Sequence, residues 1–441
     1  MQLELYRGGS ARELMEGIER AIFAGQLAPG ELLPPVRTLA RQLGLSPATV
    51  AAAYRELGRR GIVHAEGRRG TRVRPRPPLL APSPPSPPAG VVDLSTGLPD
   101  PRFLPDVGAA LAAIARRASA RLGRWGGNDP VLLERARAAF TADGIGAGEV
   151  AVVGGALDGI ERVLDSHLLA GDPIAVEDPG FPPLLDLIAA LGLEPRPVAV
   201  DDDGPLPDAL ASALRGGARA VVITPRAQNP SGAALTPQRA AALRPLLAGH
   251  PDVLVVEDDH AGPVAGAPAV SLTGSGGRRW AIARSVSKWL SPDLRLAVLA
   301  GDERTLARVQ GRQRLGTGWV SGILQATVAE LWKRDGVRRL TDRAAACYAE
   351  RRMALLRALA DHGLEGHGRS GLNVWVPVGD EHATTRALLD SGWQVAAGAR
   401  HRLRAAPAIR VTVAAMSPVD APRIADVIAA AQVGGLRSRA Y

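Results

Sequence analysis

Apolar positions recur at helical spacing soon after Ser10: Leu14, Ile18, Ala21 and Ile22 fall on one face, and Ser10 stands where a cap belongs. AGQLAPGELLP then reads as a connecting turn. A second helix is predicted over PVRTLARQLG, ended by Gly44. A third is predicted over SPATVAAAYRELGRRG, with Ser46 as cap, Pro47 in the first helical position and Gly61 as the stop. The period changes in IVHAEGRRGTRVR, which alternates about a Gly-Arg-Arg-Gly turn as a β-hairpin does. Beyond residue 90 short β-branched runs alternate with helical segments: EVAVV, DPIAVE, ARAVVITP, DVLVVE and RRWAIAR. That alternation predicts an α/β body with a mostly parallel sheet, whose ligands sit at the carboxyl ends of the strands.

Between the two patterns lies PRPPLLAPSPPSPPAG, residues 75–90, with 8 prolines in 16 positions. Proline removes the amide donor and restricts its predecessor, so neither helix nor central strand is expected. The segment reads as a semi-rigid spacer reaching roughly 50 Å at about 3.1 Å per residue. The predicted organisation is a head at 1–74, the spacer at 75–90 and a body at 91–441. With 441 residues, 46% apolar and 22% charged, the chain has the make-up of a folded protein with a large core. No segment reads as a secretion signal or a membrane span, so a cytoplasmic protein is expected. The single Cys347 excludes an internal disulfide and a cysteine-rich metal site, and no metal is expected.

Charge changes the picture at the front. The formal charge is +9, and residues 1–90 hold 13 Arg and 7 Glu with no Asp or Lys. Between residues 34 and 74 there are 9 Arg against 2 Glu. Helix, tight turn, helix and basic hairpin make the plan of a winged helix-turn-helix, whose third helix enters the major groove of double-stranded operator DNA. Candidate contacts are Arg37, Ser46, Thr49 and Arg55 on the helices and Arg68 and Arg69 at the wing tip. Sequence does not separate phosphate contact from base reading among them.

In the body, the residues that follow each predicted strand carry chemistry. GGALDGIERVLDSHL places the amides of Gly155, Ala156 and Leu157 at a helix start, an anion cradle. DPGFPP places Phe181, and RAQNPSG places Asn229. DDH places Asp258 and Asp259, and SVSKWLSPDLR places Ser285, Ser287, Lys288 and Arg295. Singly these have plain structural readings: a glycine turn, a core phenylalanine, an ordinary NPSG turn. The paired acids suit a metal, a cationic ring nitrogen or simply solvent. The lysine decides between them. Lys288 and Lys333 are the only lysines among 53 basic residues; the other 51 are arginine. An amine that loses its proton forms an imine with an aldehyde, whereas a guanidinium stays protonated. Phosphate cradle, aromatic face, neutral donor, carboxylate and imine-forming lysine together fit pyridoxal 5′-phosphate.

Two resemblances add to this reading. LPPVRTLARQLGLSPATVAAAYRELGRRGIV…GRRGTRV resembles the GntR-family DNA-binding domain. Residues 91–441 resemble the class I/II aminotransferases of fold type I. The matching stretches are DLSTGLPDPRFLP, GGALDGIERVLDSHLLAGDPIAVEDPGFPP, TPRAQNPSG, VVEDDH, SVSKWLSPDLRLAVLAG and AIRVTVA, in family order. The joined chain is similar to MocR-type regulators. The resemblance implies a large domain with a smaller α+β subdomain and a head-to-tail homodimer. It implies Lys288 as the Schiff-base lysine, Asp258 at the pyridine nitrogen, Asn229 at the ring 3-hydroxyl, Phe181 stacked on the ring, and Ser285 and Arg295 at the phosphate. It further implies Arg410 as the holder of an effector carboxylate. Two positions depart from the family's usual tyrosines: His260, two residues after Asp258, and Trp125 in GRWGGNDP.

The expected function is a transcriptional regulator whose body binds pyridoxal phosphate and senses it, or its adduct with a small amino compound. A working aminotransferase with a DNA-binding appendage, and a dimerising scaffold that binds no cofactor, are the other two readings the residues leave open.

Overall fold

The computed structural model of the chain describes residues 6, 9–65, 70–74, 87–115, 127–146, 148–273 and 279–438. They fall into two compact units: residues 1–85 with 168–173 and 182–195, and residues 86–167 with 174–181 and 196–441.

The head has the predicted three helices, α1 (Ala11–Phe23), α2 (Val36–Leu43) and α3 (Pro47–Arg59). Ser10 Oγ accepts from the Glu13 amide at 3.2 Å, and Ser46 Oγ from the Thr49 amide at 3.0 Å, so both helices start at the predicted caps. Gly44 ends α2 with φ +66°, a left-handed conformation that suits glycine. Leu14, Ile18, Leu39, Val50 and Leu57 of the three helices close one core and are fully buried. The hairpin forms from β2 (Val63–Ala65) and β3 (Thr71–Val73). One strand was hidden in the expected turn: β1 (Leu32–Leu33) pairs antiparallel with β3 and makes the wing three-stranded. Its only strand support is its partner 39 residues on, which no local pattern announces.

In the body, β4 (Val92–Leu94), α4 (Val107–Ala115), α5 (Pro130–Ala142), β5 (Glu149–Val153), α6 (Ala156–His167) and β6 (Pro173–Asp178) come first. Then follow α7 (Pro182–Ala190), β7 (Glu194–Asp201), β8 (Gly204–Pro205), α8 (Pro207–Arg215), β9 (Ala220–Ile223) and α9 (Pro237–Ala248). β10 (Leu254–Asp259), β11 (Trp280–Ser285), β12 (Ala297–Gly301), α10 (Glu303–Leu315), α11 (Gly322–Trp332) and α12 (Asp335–Asp361) complete the larger layer. The eight strands run in the order β5-β12-β11-β10-β9-β6-β7-β8. β6, β9, β10 and β11 are parallel neighbours, while β12 and β5 run antiparallel at one side and β7 with β8 at the other. The sheet is therefore mixed, with a parallel centre. Phe181, Asn229, Asp258 and Lys288 follow or end strands of that centre, whereas the Gly155 turn follows the terminal strand β5 and Arg410 lies on a strand of the smaller subdomain.

The smaller subdomain is built from β13 (Asn373–Pro377), α13 (Glu381–Asp390), β14 (Trp393–Ala397), β15 (Ala408–Thr412) and α14 (Ala421–Ser438). Its sheet runs β13-β15-β14-β4. The first strand of the body, β4, thus belongs to the last subdomain, parallel to β14. Among the described residues no helix is long and apolar enough to cross a membrane.

Candidate functional site

β10 runs two residues further than the apolar pattern suggested, so Asp258 and Asp259 lie inside the strand, opposite Ala283 and Arg284 of β11. Neighbouring strand residues face opposite sides, so the two acids part company. Asp259 is held by two arginines: Arg226 Nε and Nη2 donate to it at 2.8 and 2.9 Å, and Arg284 Nε at 2.6 Å. Burial opposes ionisation there, but the two guanidiniums win and hold the carboxyl well below its usual range. Asp258 is 3% exposed, and its Oδ1 has no hydrogen-bond partner among the described residues. Burial, helped by the Asp259 charge and opposed by Lys288, pushes it up to about 7.

Asp259→Asn would leave two buried guanidiniums sharing one carboxylate, Asp143, 2.6 Å from Arg284 and 3.6 Å from Arg226, and is expected to cost about 3 kcal/mol. The stabilisation is present above the ordinary aspartate value of 3.8 and is lost as pH falls toward the depressed native one. Denaturant unfolding of the variant at pH 7, and of the wild type between pH 5 and 3, measures both.

Lys288 follows β11 by three residues. Its Nζ donates to the Gly97 carbonyl at 2.6 Å. Burial, with the Arg410 charge beside it and Asp258 opposing, lowers its pKa from 10.5 to about 8. At pH 7 roughly a tenth of such an amine is neutral, far more than of an ordinary lysine. Capture of an aldehyde is therefore expected to speed up about tenfold per pH unit below 8 and to level off above it. Stopped-flow absorbance with pyridoxal phosphate reads this directly; a rate still climbing beyond pH 9 would contradict it.

Arg410, at the centre of β15, is 5% exposed. It donates through Nη1 to Asn229 Oδ1 at 3.1 Å and through Nη2 to the Ser95 carbonyl, while its Nε is buried without a partner among the described residues. Burial lowers it to about 10. Asn229 thus presents its carbonyl to Arg410, and its amide nitrogen makes no hydrogen bond among the described residues. The loop carrying it is fixed by Gln228, which donates to Glu177 Oε2 at 3.2 Å and to the Pro179 carbonyl at 2.8 Å and accepts from Ser231. His260 Nε2 lies 2.8 Å from the Ala227 carbonyl in the same loop.

The glycine turn after β5 leads into a helix, as the sequence predicts. Gly155, at φ +118°, precedes α6, whose first amides have no intrahelical carbonyls. A Cβ at Gly155 would meet Arg295 Nη2 at 3.4 Å, so the guanidinium lies at the cradle. Ser285 Oγ donates to Ser287 Oγ at 3.1 Å and accepts from the Ser287 amide. Phe181 is half-buried and follows Gly180, whose amide donates to the His401 carbonyl at 2.6 Å. A separate cavity of about 550 Å³, lined by Asp178, Ser231, His367, Trp375 and Arg404, contains neither Lys288 nor Asp258.

On the head, Arg37, Ser46 and Arg55 are exposed. Thr49 is half-buried, and its hydroxyl lies 2.8 Å from Ser46 Oγ. Arg68, Arg69 and Trp125 lie outside the described residues. Ser95, Gly97, Arg226, Gln228 and Arg284 were missed in the sequence. Their signals, STG after a short strand and an arginine at each of two strand ends, are too common to single them out.

A DNA-binding head joined to an aminotransferase-like body is what these two units define. Residues 10–73 match the description "Bacterial regulatory proteins, gntR family", and residues 89–428 match "Aminotransferase class I and II". The chain belongs to the aminotransferase class I and II family, whose members depend on pyridoxal phosphate, in the MocR-type arrangement with a gntR-family head. It is 40% identical over 398 residues to the vitamin B6 salvage pathway transcriptional repressor PtsJ of Salmonella typhimurium, covering 89% of this chain and 91% of that one. It is 30% identical to the pyridoxine biosynthesis transcriptional regulator PdxR of Corynebacterium glutamicum, covering 79% and 78%. The α-aminoadipate aminotransferase LysN of Thermus thermophilus shares the body's fold, with a TM-score of 0.69 and 22% identity over 79% of this chain and 94% of that one. The protein is a transcriptional regulator with an aminotransferase-like domain.

Proposed function

We propose that the body holds pyridoxal 5′-phosphate on Lys288 and reports vitamin B6 status, as the free cofactor or its adduct with an amino compound, to the head. One observation carries this: Asp258 is a buried carboxylate with an unpartnered oxygen, on the strand beside the one that leads to Lys288. A protonated ring nitrogen would satisfy that oxygen. Asn229 Nδ2, the Phe181 face, Ser285, Ser287, Arg295 and the amides of Gly155, Ala156 and Leu157 would hold the rest. When bound, the cofactor supplies an aldehyde for the lysine and an electron-withdrawing ring.

The rest is the chain's own doing. Lys288 holds the Gly97 carbonyl and Arg410 the Ser95 carbonyl, both within three residues of the end of β4. A ligand that takes Lys288 Nζ releases Gly97; one whose carboxylate draws Arg410 releases Ser95. Either event changes the hold on the segment that enters the body from the Pro-rich spacer, and hence from the head. Leu315, Trp319 and Ile323, apolar side chains 85%, 43% and 45% exposed, suit burial in a homodimer. A regulator bound to operator DNA would act in the cytoplasm. Lys288, Asp258 and Arg410 also suit an active aminotransferase, which turnover with a keto acid at ordinary enzyme rates would establish.

The test is DNA binding. Duplexes selected by the protein from a random pool would be titrated by fluorescence anisotropy with and without pyridoxal phosphate, and with added amino acids. The expected result is a change in affinity of about fivefold or more. An unchanged affinity with the cofactor bound would remove the sensing role.

A further inference from the structure

His260 lies within reach of the Lys288 charge. Its Nε2 is 2.8 Å from the Ala227 carbonyl. A carbonyl only accepts, so Nε2 carries the proton. Burial, then the Lys288 charge, lowers the ring to about 4, so it is neutral at physiological pH and has no second N–H. Its Nδ1 then offers only a lone pair. The Nε2 hydrogen is not free to swing away. Ala227 has φ +54°, a left-handed conformation that is unfavourable for alanine, and two bonds clamp it there: its amide donates to Ser370 Oγ at 2.7 Å, and its carbonyl receives His260. His260 is therefore the pin of the loop that carries Asn229.

This has a consequence for any pyridoxal phosphate on Lys288, and so rests on the function proposed above. The cofactor's hydroxyl is on the ring carbon next to its aldehyde, so an imine at Lys288 brings that oxygen among the groups around the lysine. Those with charge or titrating protons are Asp258 and His260, on and just after β10, and Arg410 on β15. Losing the imine proton leaves a full negative charge on the oxygen. Hydrogen-bond donors stabilise that state and lower the imine's pKa; a lone pair opposes it. We propose that His260 gives the oxygen no hydrogen, leaving Asn229 as the neutral side-chain donor among the described residues, so that the imine stays protonated through neutral pH. The cofactor is then retained in one electronic state while the loop stays pinned, which suits a holder of the cofactor better than a catalyst that cycles its protons.

Visible absorption of the loaded protein, titrated from pH 5 to 10, tests this. The wild type should keep the protonated-imine band beyond pH 7.5. His260→Phe removes the imidazole and should leave the midpoint within about 0.3 units or lower it. His260→Tyr adds a hydroxyl donor and should lower the midpoint by about one unit or more, the worth of one charge-assisted hydrogen bond. A midpoint raised by a unit in His260→Phe, and raised as much when Asn229→Ala is already present so that the loop's donor is out of play, would show that the imidazole donates after all and overturn the inference, as would a wild-type midpoint below neutrality. If His260→Phe does not fold, wild type and His260→Tyr decide alone. A wild type with no visible band at any pH overturns the cofactor reading itself, an outcome distinct from a shifted midpoint.

Discussion

Lys288→Arg is expected to abolish covalent capture of pyridoxal phosphate while leaving a folded protein that still binds DNA. The guanidinium keeps the cation that faces Asp258 and can still reach the Gly97 carbonyl. It cannot shed a proton, so no imine forms. The visible band and the borohydride-stable adduct should both vanish, and operator affinity should stop responding to the cofactor. The other lysine, Lys333, is paired with Glu330 on α11 and is no substitute. An adduct of undiminished yield in Lys288→Arg would move the aldehyde's partner elsewhere and break the proposed link to Gly97.

Asp258→Asn should have the second-largest effect, and it should cut both ways. With cofactor, the variant loses a charge-assisted hydrogen bond of about 1.5–3 kcal/mol, or roughly 10- to 150-fold in affinity, measurable by equilibrium dialysis. Without cofactor, it should be more stable than the wild type at neutral pH. The sign follows from the raised pKa. Unfolded Asp258 ionises above 3.8, whereas the native group holds its proton to about 7, so its contribution to stability declines across that window. Asparagine removes that decline. Thermal unfolding of both apo proteins at pH 5 and 8 checks it, the gap widening at the higher pH. A variant destabilised equally at both values, with cofactor affinity intact, would make Asp258 a structural group.

What the sequence disclosed depended on how local the cause was. Ser10, Ser46 and Gly44 act within a few residues of themselves, and the head's helices begin and end where those residues say. Lys288 was conspicuous because arginine fills nearly every other basic position. By contrast, β1 exists through β3, and β4 joins a subdomain whose remaining strands come some 280 residues later. The extension of β10 through two aspartates runs against strand propensity and is supported by Arg226 and Arg284, from other strands' ends. The partner of His260 is 33 residues away in sequence and is an alanine carbonyl, a group no side-chain motif can mark. Hence candidate residues could be named from the sequence, while their state could not: which acid is neutralised, which arginine is engaged, which histidine proton is committed.

The central claim is that this body carries its cofactor on one lysine. Purified protein would be loaded with pyridoxal phosphate, reduced with borohydride, digested and mapped by mass spectrometry. A visible imine band is expected before reduction and a single pyridoxyl-modified peptide afterwards, carrying the modification on Lys288. No band, with Lys288 unmodified, would contradict it and leave the aminotransferase-like unit as a scaffold for the DNA-binding heads.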